Sequence, residues 1–142
     1  MVSKKDPDMM MIGINGRDKA WYDLYSLKIS TGKLTKILEN DNRYVGFEFD
    51  WDEKMRIAYR SDEDGMSQII RIDDDGSYKE IYSTNLKESA CIANWTPNSK
   101  ECYLITNKGD INLSTLYRMN PETGEMVLVV SDPLGKVDFG RL

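Results

Sequence analysis

"NPETGEMVLVV" (residues 120–130) ends one alternating apolar run, turns at Thr-Gly and begins another, as a β-hairpin does. Nearly the same phrase occurs earlier as "KISTGKLTKIL" (residues 28–38), and the two turn glycines, Gly32 and Gly124, stand 92 residues apart, which is twice 46. A third copy lies halfway between them. "IIRIDDDGSYKEIYS" runs from Ile69 to Ser83 and turns at Asp75-Gly76, two residues tighter than the others. Ile70 and Ile72 stand where Tyr25 and Leu27 stand in the first copy and Tyr117 and Met119 in the third.

The segments that precede these hairpins repeat as well. "FDWDEKMRIAYRS" (residues 49–61) aligns with "WTPNSKECYLITN" (residues 95–107) at an offset of 46, each with a leading aromatic, a polar turn and an alternating strand. "DMMMIGIN" (residues 8–15) matches the end of the same pattern one interval earlier. Each unit therefore reads as four short strands rich in Tyr, Ile, Val and Phe, broken by Asp, Gly, Asn or Glu. The second unit supplies Tyr44–Phe49, Met55–Arg60, Gln68–Asp73 and Tyr78–Ser83; the third supplies Cys91–Trp95, Cys102–Thr106, Thr115–Asn120 and Met126–Val130. The first has Met9–Ile14, Tyr22–Ile29 and Leu34–Leu38, without an opening strand. No segment carries a helical period.

Four antiparallel strands at this interval are the signature of a β-propeller blade. The fold class expected is all-β, with about three four-stranded antiparallel blades of a partial propeller. Its parts are a partial blade at 9–39, blades at 44–83 and 91–131, and the start of a further blade at 136–142, "KVDFGRL". Closed propellers generally have at least four blades, so the chain is expected to be a fragment of a larger protein. The absent opening strand implies an unpaired edge on the first blade. Apolar faces are expected at both ends, with Met9, Met11 and Leu24 at one and Met126, Leu128 and Val130 at the other. Self-association through such faces follows.

Composition narrows the chemistry. Of 142 residues, 40% are hydrophobic and 30% charged, which places the chain among globular proteins. The net charge of −5 is spread along the chain without a basic block, which argues against a nucleic-acid partner. No apolar run reaches the roughly 18 residues of a membrane span, so no membrane partner is expected. No secretory signal is evident, and the compartment stays open between cytoplasm and periplasm. Histidine is absent, so neither a Ser-His-Asp nor a Cys-His site can be built from this chain. The two cysteines, Cys91 and Cys102, make no disulfide framework. A hairpin centred near Asn98 sets Cys102 opposite Asn94, so both are expected as free thiols beyond disulfide reach of each other.

Other motifs read as structure. "DDDG" (73–76) would need calcium ligands at Arg71 and Tyr82, which cannot serve, so it reads as turn chemistry, and "SDEDG" (61–65) reads likewise. Gly65-Met66-Ser67 lacks the second glycine of a nucleophile elbow. Asn94 and Asn112 head glycosylation-type triplets, with Asn94 on an expected strand. Gly32-Lys33 and Gly135-Lys136 lack the remaining residues of a phosphate loop. Trp21, Trp51 and Trp95 read as packing between sheets, with Trp51 and Trp95 near one place in successive blades. Arg17, Arg43 and Arg60 read as solvated or salt-bridging charges ahead of peptide-binding ones. No residue is assigned a catalytic, cofactor-binding or metal-ligating role, and no cofactor is expected.

These residues resemble a known family. "MMMIGINGRDKAWYDLYSLKISTGKLTKILEN" (residues 9–40) is similar to a propeller blade of the prolyl oligopeptidase family of serine peptidases, in its acylaminoacyl-peptidase and dipeptidyl-aminopeptidase-like branch. The positions that carry the likeness are Ile14, Asn15, Arg17-Asp18, Trp21, Asp23, Tyr25 and Thr31-Gly32. Residues 103–125 resemble a later blade through Asn107, Gly109, Leu116-Tyr117 and Thr123-Gly124. The resemblance implies a non-catalytic propeller segment that gates peptide access to a C-terminal α/β-hydrolase domain absent from this chain. That domain and the parent's peptide substrates are the implied partners. A propeller binding or scaffold module of a non-enzymatic protein is the alternative.

Overall fold

The computed structural model describes residues 1–137, so Asp138–Leu142 of the expected further blade lie outside the described residues. Among the described residues there is no helix, and eleven strands form three antiparallel meanders. The first sheet is β1 (Met9–Ile14), β2 (Asp23–Lys28) and β3 (Lys33–Leu38) in that order. The second is β4 (Gly46–Phe49), β5 (Met55–Ser61), β6 (Ser67–Ile72) and β7 (Tyr78–Thr84). The third is β8 (Ala90–Trp95), β9 (Cys102–Thr106), β10 (Thr115–Met119) and β11 (Met126–Val130). The chain is all-β and built as partial propeller sheets. It divides into two compact units, Met1–Val45 and Gly46–Leu142.

The turns repeat in backbone conformation as well as in sequence. Gly32, Gly76 and Gly124 take φ of 70°, 82° and 77° in the three equivalent hairpins, where glycine avoids the Cβ clash of the left-handed region. Glu53 and Ser99, 46 positions apart, both take positive φ (62° and 55°) without being glycine. Asn15 and Asn107, 92 positions apart, each donate Nδ2 to the carbonyl four residues on, Lys19 at 3.1 Å and Ile111 at 3.2 Å.

Four expectations are corrected. The edge of β1 is not open, because Met1–Ser3 lie along it. Val2 bridges Met10, Ser3 N–H donates to the Met9 carbonyl (2.9 Å), and Met11 N–H donates to the Met1 carbonyl (2.7 Å). The first strand of the second sheet begins at Gly46 rather than Tyr44. The Asn40 carboxamide accepts from Tyr44 N–H and donates to its carbonyl, both at 2.8 Å, and so withdraws Tyr44 from the ladder. Cys102 pairs with Trp95 and not with Asn94, because the β8–β9 ladder shifts between Ile92 and Asn94. Leu24, expected on an open face, is buried. Cys91 and Cys102 are free thiols, the first exposed and the second buried.

In the second unit the core lies between the two four-stranded sheets. Ile57 and Ile69 from one meet Ile92, Trp95, Cys102, Leu104 and Met119 from the other, with Ile81, Tyr82 and Tyr117 packed around them. Along β9 every second residue (Cys102, Leu104, Thr106) is buried, as a pleated strand with one covered face requires. The Cys102 thiol is pushed up to about 12 by burial and donates to the Met119 carbonyl at 3.6 Å, so it acts as a small apolar side chain. Leu104→Ala removes a fully buried side chain at the centre of this core and is expected to cost about 2–5 kcal/mol. Urea unfolding checks this, with exposed Val129→Ala as the control that leaves the midpoint nearly unchanged.

Candidate functional site at the junction of the two complete blades

In each four-stranded sheet the turns joining first to second and third to fourth strands emerge at one end. At that end of the second unit, three turns frame a cleft of about 490 Å³: 50–54 after β4, 96–101 after β8 and 120–125 after β10. Its charged lining includes Asp50, Asp52, Lys54, Arg56, Lys100 and Glu122.

Arg56 on β5 organises the cleft. Its Nη1 donates to Asp50 Oδ2 (3.0 Å) and to the Ser99 carbonyl (3.1 Å), and its guanidinium lies over the Trp95 ring at 5.2 Å. Asp50 is itself a turn anchor. Its Oδ1 accepts the N–H groups of Asp52 (2.9 Å) and Lys54 (3.1 Å), so one buried carboxylate shapes the turn and holds the arginine. Lys54 pairs outward with Asp74 at 2.6 Å. Trp51 reaches across the junction, with its indole Nε1 donating to the Trp95 carbonyl (2.9 Å) and its backbone N–H to Ser99 Oγ (3.2 Å). Arg71 clasps the far side, donating to the Glu122 carbonyl at 2.9 Å while paired with Asp73 at 2.9 Å.

A second junction contact lies by the first strands. Tyr59 Oη donates to Glu48 Oε1 (3.3 Å) and accepts from Ile92 N–H (3.0 Å), which binds β5 to β8 through a side chain. Burial raises the Glu48 carboxyl and also raises the Tyr59 phenol, where neighbouring Glu48 adds to the effect. The site holds carboxylates, amines and amides, with Ser99 Oγ already accepting from Trp51. These groups can bind and orient charged ligands. No side chain here can act as a histidine-type base, since the chain has none.

The residues weighed in the sequence fall as follows. Trp95 is core, as expected, but Trp51 is 46% exposed and lies over the neighbouring turn instead of filling the sheet interface. The two are offset by two positions in the repeat, and Phe49 is the counterpart of Trp95. Trp21 is half-buried beside Tyr22. Arg43 is exposed at positive φ in the turn fastened by Asn40, and Arg60 Nε donates to Gln68 Oε1 at 2.8 Å. Asp73 and Asp75 spend their carboxyl oxygens on Arg71 and Ser77, within a tight turn closed by Gly76 N–H on the Asp73 carbonyl. Asp62 closes its own turn by accepting Asp64 and Met66 N–H groups. Ser67 opens β6 in register with Ser61 and Thr84, and Asn94 accepts its neighbour's N–H on β8, while Asn112 is exposed in a loop.

Arg17 belongs to the first unit, where it donates from Nε and Nη2 to buried Asp23 (3.0 and 2.9 Å) and pairs with Asp41 (2.9 Å). Asp23 also accepts Asn40 N–H at 2.8 Å. This knot fastens the end of β3 to the start of β2. Sequence reading missed Arg56, Asp50, Tyr59 and Glu48. The available signal was departure from the repeat, since 46 residues on Arg56 becomes Cys102, Asp50 becomes Thr96 and Glu48 becomes Asn94.

Two comparisons bear on kinship. The chain is 26% identical over 141 residues to dipeptidyl aminopeptidase BIII of Pseudoxanthomonas mexicana, a match over 98% of this chain and 20% of that enzyme. The resemblance is to a propeller portion of a prolyl oligopeptidase family peptidase. The fold is also that of part of TolB from Acinetobacter baumannii, with a TM-score of 0.58, 19% identity, and coverage of 87% of this chain and 29% of that one. The chain thus spans about a fifth of the peptidase and under a third of the TolB structure. No protein-family model matches it.

Hydrogen bonding from Arg17, then from Asn40, holds the Asp23 carboxyl at about 2, below its ordinary 3.8. A depressed carboxylate stabilises the folded form above its unfolded pKa, and that contribution disappears as pH falls through the folded value. First-unit stability is therefore expected to decline between about pH 4 and pH 2. Urea midpoints across that range check it, and Asp23→Asn is expected to flatten the dependence while lowering the midpoint at pH 7.

Proposed function

We propose that the chain is a non-catalytic propeller segment of a prolyl oligopeptidase-type serine peptidase, and that it restricts which peptides reach a hydrolase domain carried elsewhere in the parent. The observation that carries this reading is the match along nearly the whole chain to one fifth of a dipeptidyl aminopeptidase. The absence of histidine agrees, because acyl transfer through a Ser-His-Asp triad needs a base this chain does not contain. In this reading the parent hydrolyses peptide bonds through an acyl-enzyme, and the propeller contributes steric selection. The stiffness that selection needs comes from the Trp51, Tyr59 and Arg71 contacts across the blade junction.

The purified chain is expected to hydrolyse neither aminoacyl nor acyl-peptide chromogenic substrates and to take no label from a fluorophosphonate probe. Labelling of a single serine would overturn this. In the parent, deleting the segment is expected to leave cleavage of short peptides in place and to admit folded proteins that the intact enzyme spares. An intact parent without peptidase activity would point instead to a binding or scaffold propeller.

A further inference from the structure

Among the described residues, the strands β3, β7 and β11 each end a sheet and present an outer backbone edge. Such edges are pairing templates, and natural sheets guard them with charge. β3 carries Lys33 and Lys36, and β7 carries Lys79 and Glu80. β11 (MVLVV) carries no charge at all. Val127, Leu128, Val129 and Val130 are 54%, 55%, 49% and 45% exposed, so both faces of the strand are open where one covered face would give alternation. The ladder groups on this edge point sideways in the sheet plane, so strand addition there is a separate contact from packing on the sheet's faces.

The flanks say what fits. Glu122 and Glu125 precede the strand and Asp132 follows it, all three exposed, ahead of Lys136. Two copies of β11 pairing antiparallel would bring Glu125 of each toward Asp132 of the other, which like-charge repulsion disfavours. A strand with an apolar centre and basic ends meets the opposite situation.

We propose that the outer edge of β11 is a strand-addition site for an extended segment of a partner protein, apolar opposite Val127–Val130 and carrying Lys or Arg at its ends. Backbone hydrogen bonds along the edge supply affinity, the exposed valine and leucine side chains supply apolar contact, and the acidic flanks select the basic termini. This goes beyond the gating role, since the site lies at the sheet's outer edge, away from the first strands β4 and β8.

The test uses the full chain and two synthetic peptides, Lys-Lys-Val-Thr-Val-Thr-Val-Lys-Lys and its counterpart with Glu at the four end positions. The basic peptide is expected to bind at least about tenfold more tightly than the acidic one, with the difference shrinking as added salt screens the ends. It is expected to protect backbone amides within Val127–Val130 from hydrogen exchange. Leu128→Lys restores a guard at an exposed position and is expected to abolish binding with an unchanged circular dichroism spectrum. Absence of binding by either peptide, equal binding of both, or full binding by Leu128→Lys would overturn the proposal. So would a homodimer in sedimentation whose formation protects the Val127–Val130 amides from exchange, because the occupant of the edge would then be a second copy.

Discussion

The structure depends on one constraint: an antiparallel sheet with apolar residues on both faces cannot stand alone in water. β6 shows it directly, with adjacent residues Ile69 and Ile70 both buried although they point to opposite faces. Such a sheet needs cover, and a repeated sequence supplies a neighbour of matching shape, as the third sheet is for Ile57 and Ile69. The 46-residue interval is the sequence form of that requirement. The cluster of Ile57, Ile69, Ile92, Leu104 and Met119 is its physical form.

Burial alone would let two sheets slide. Directional contacts fix their relation in the second unit. Trp51 Nε1 on the Trp95 carbonyl, Tyr59 Oη accepting from Ile92 N–H and Arg71 on the Glu122 carbonyl join one sheet to the next at three places. Each joins a side chain of one sheet to a backbone group of the next. The Arg56–Asp50 pair adds an ion pair shielded by Trp95, and the charged cleft is built around it.

Strand positions were legible because alternation and turn chemistry are local. Met9–Ile14, Cys102–Thr106 and Met126–Val130 match residue for residue. The third hairpin's Asn120 is a turn residue rather than a strand end, since its Oδ1 accepts the N–H groups of Glu122 and Thr123. The Tyr44 boundary and the Trp95–Cys102 register were not legible, because a distant carboxamide sets the first and a ladder irregularity the second. The site was harder still. A repeat directs attention to what recurs, whereas Arg56, Asp50 and Glu48 occupy positions where the copies differ. The kinship itself was legible from Arg17-Asp18, Asp23 and Thr31-Gly32, and the Arg17–Asp23–Asn40 knot gives Arg17 and Asp23 a structural purpose.

The central claim is that the two four-stranded sheets of the second unit pack face to face through a fixed junction. The most direct measurement is a nuclear Overhauser map of the labelled chain in solution. It should show antiparallel contacts pairing Ile57 with Arg71 and Leu104 with Tyr117, together with cross-junction contacts from the Tyr59 ring to the Ile92 amide and from the Trp51 indole to Trp95. Intact ladders without any cross-junction contact, or parallel pairing of consecutive strands, would contradict it.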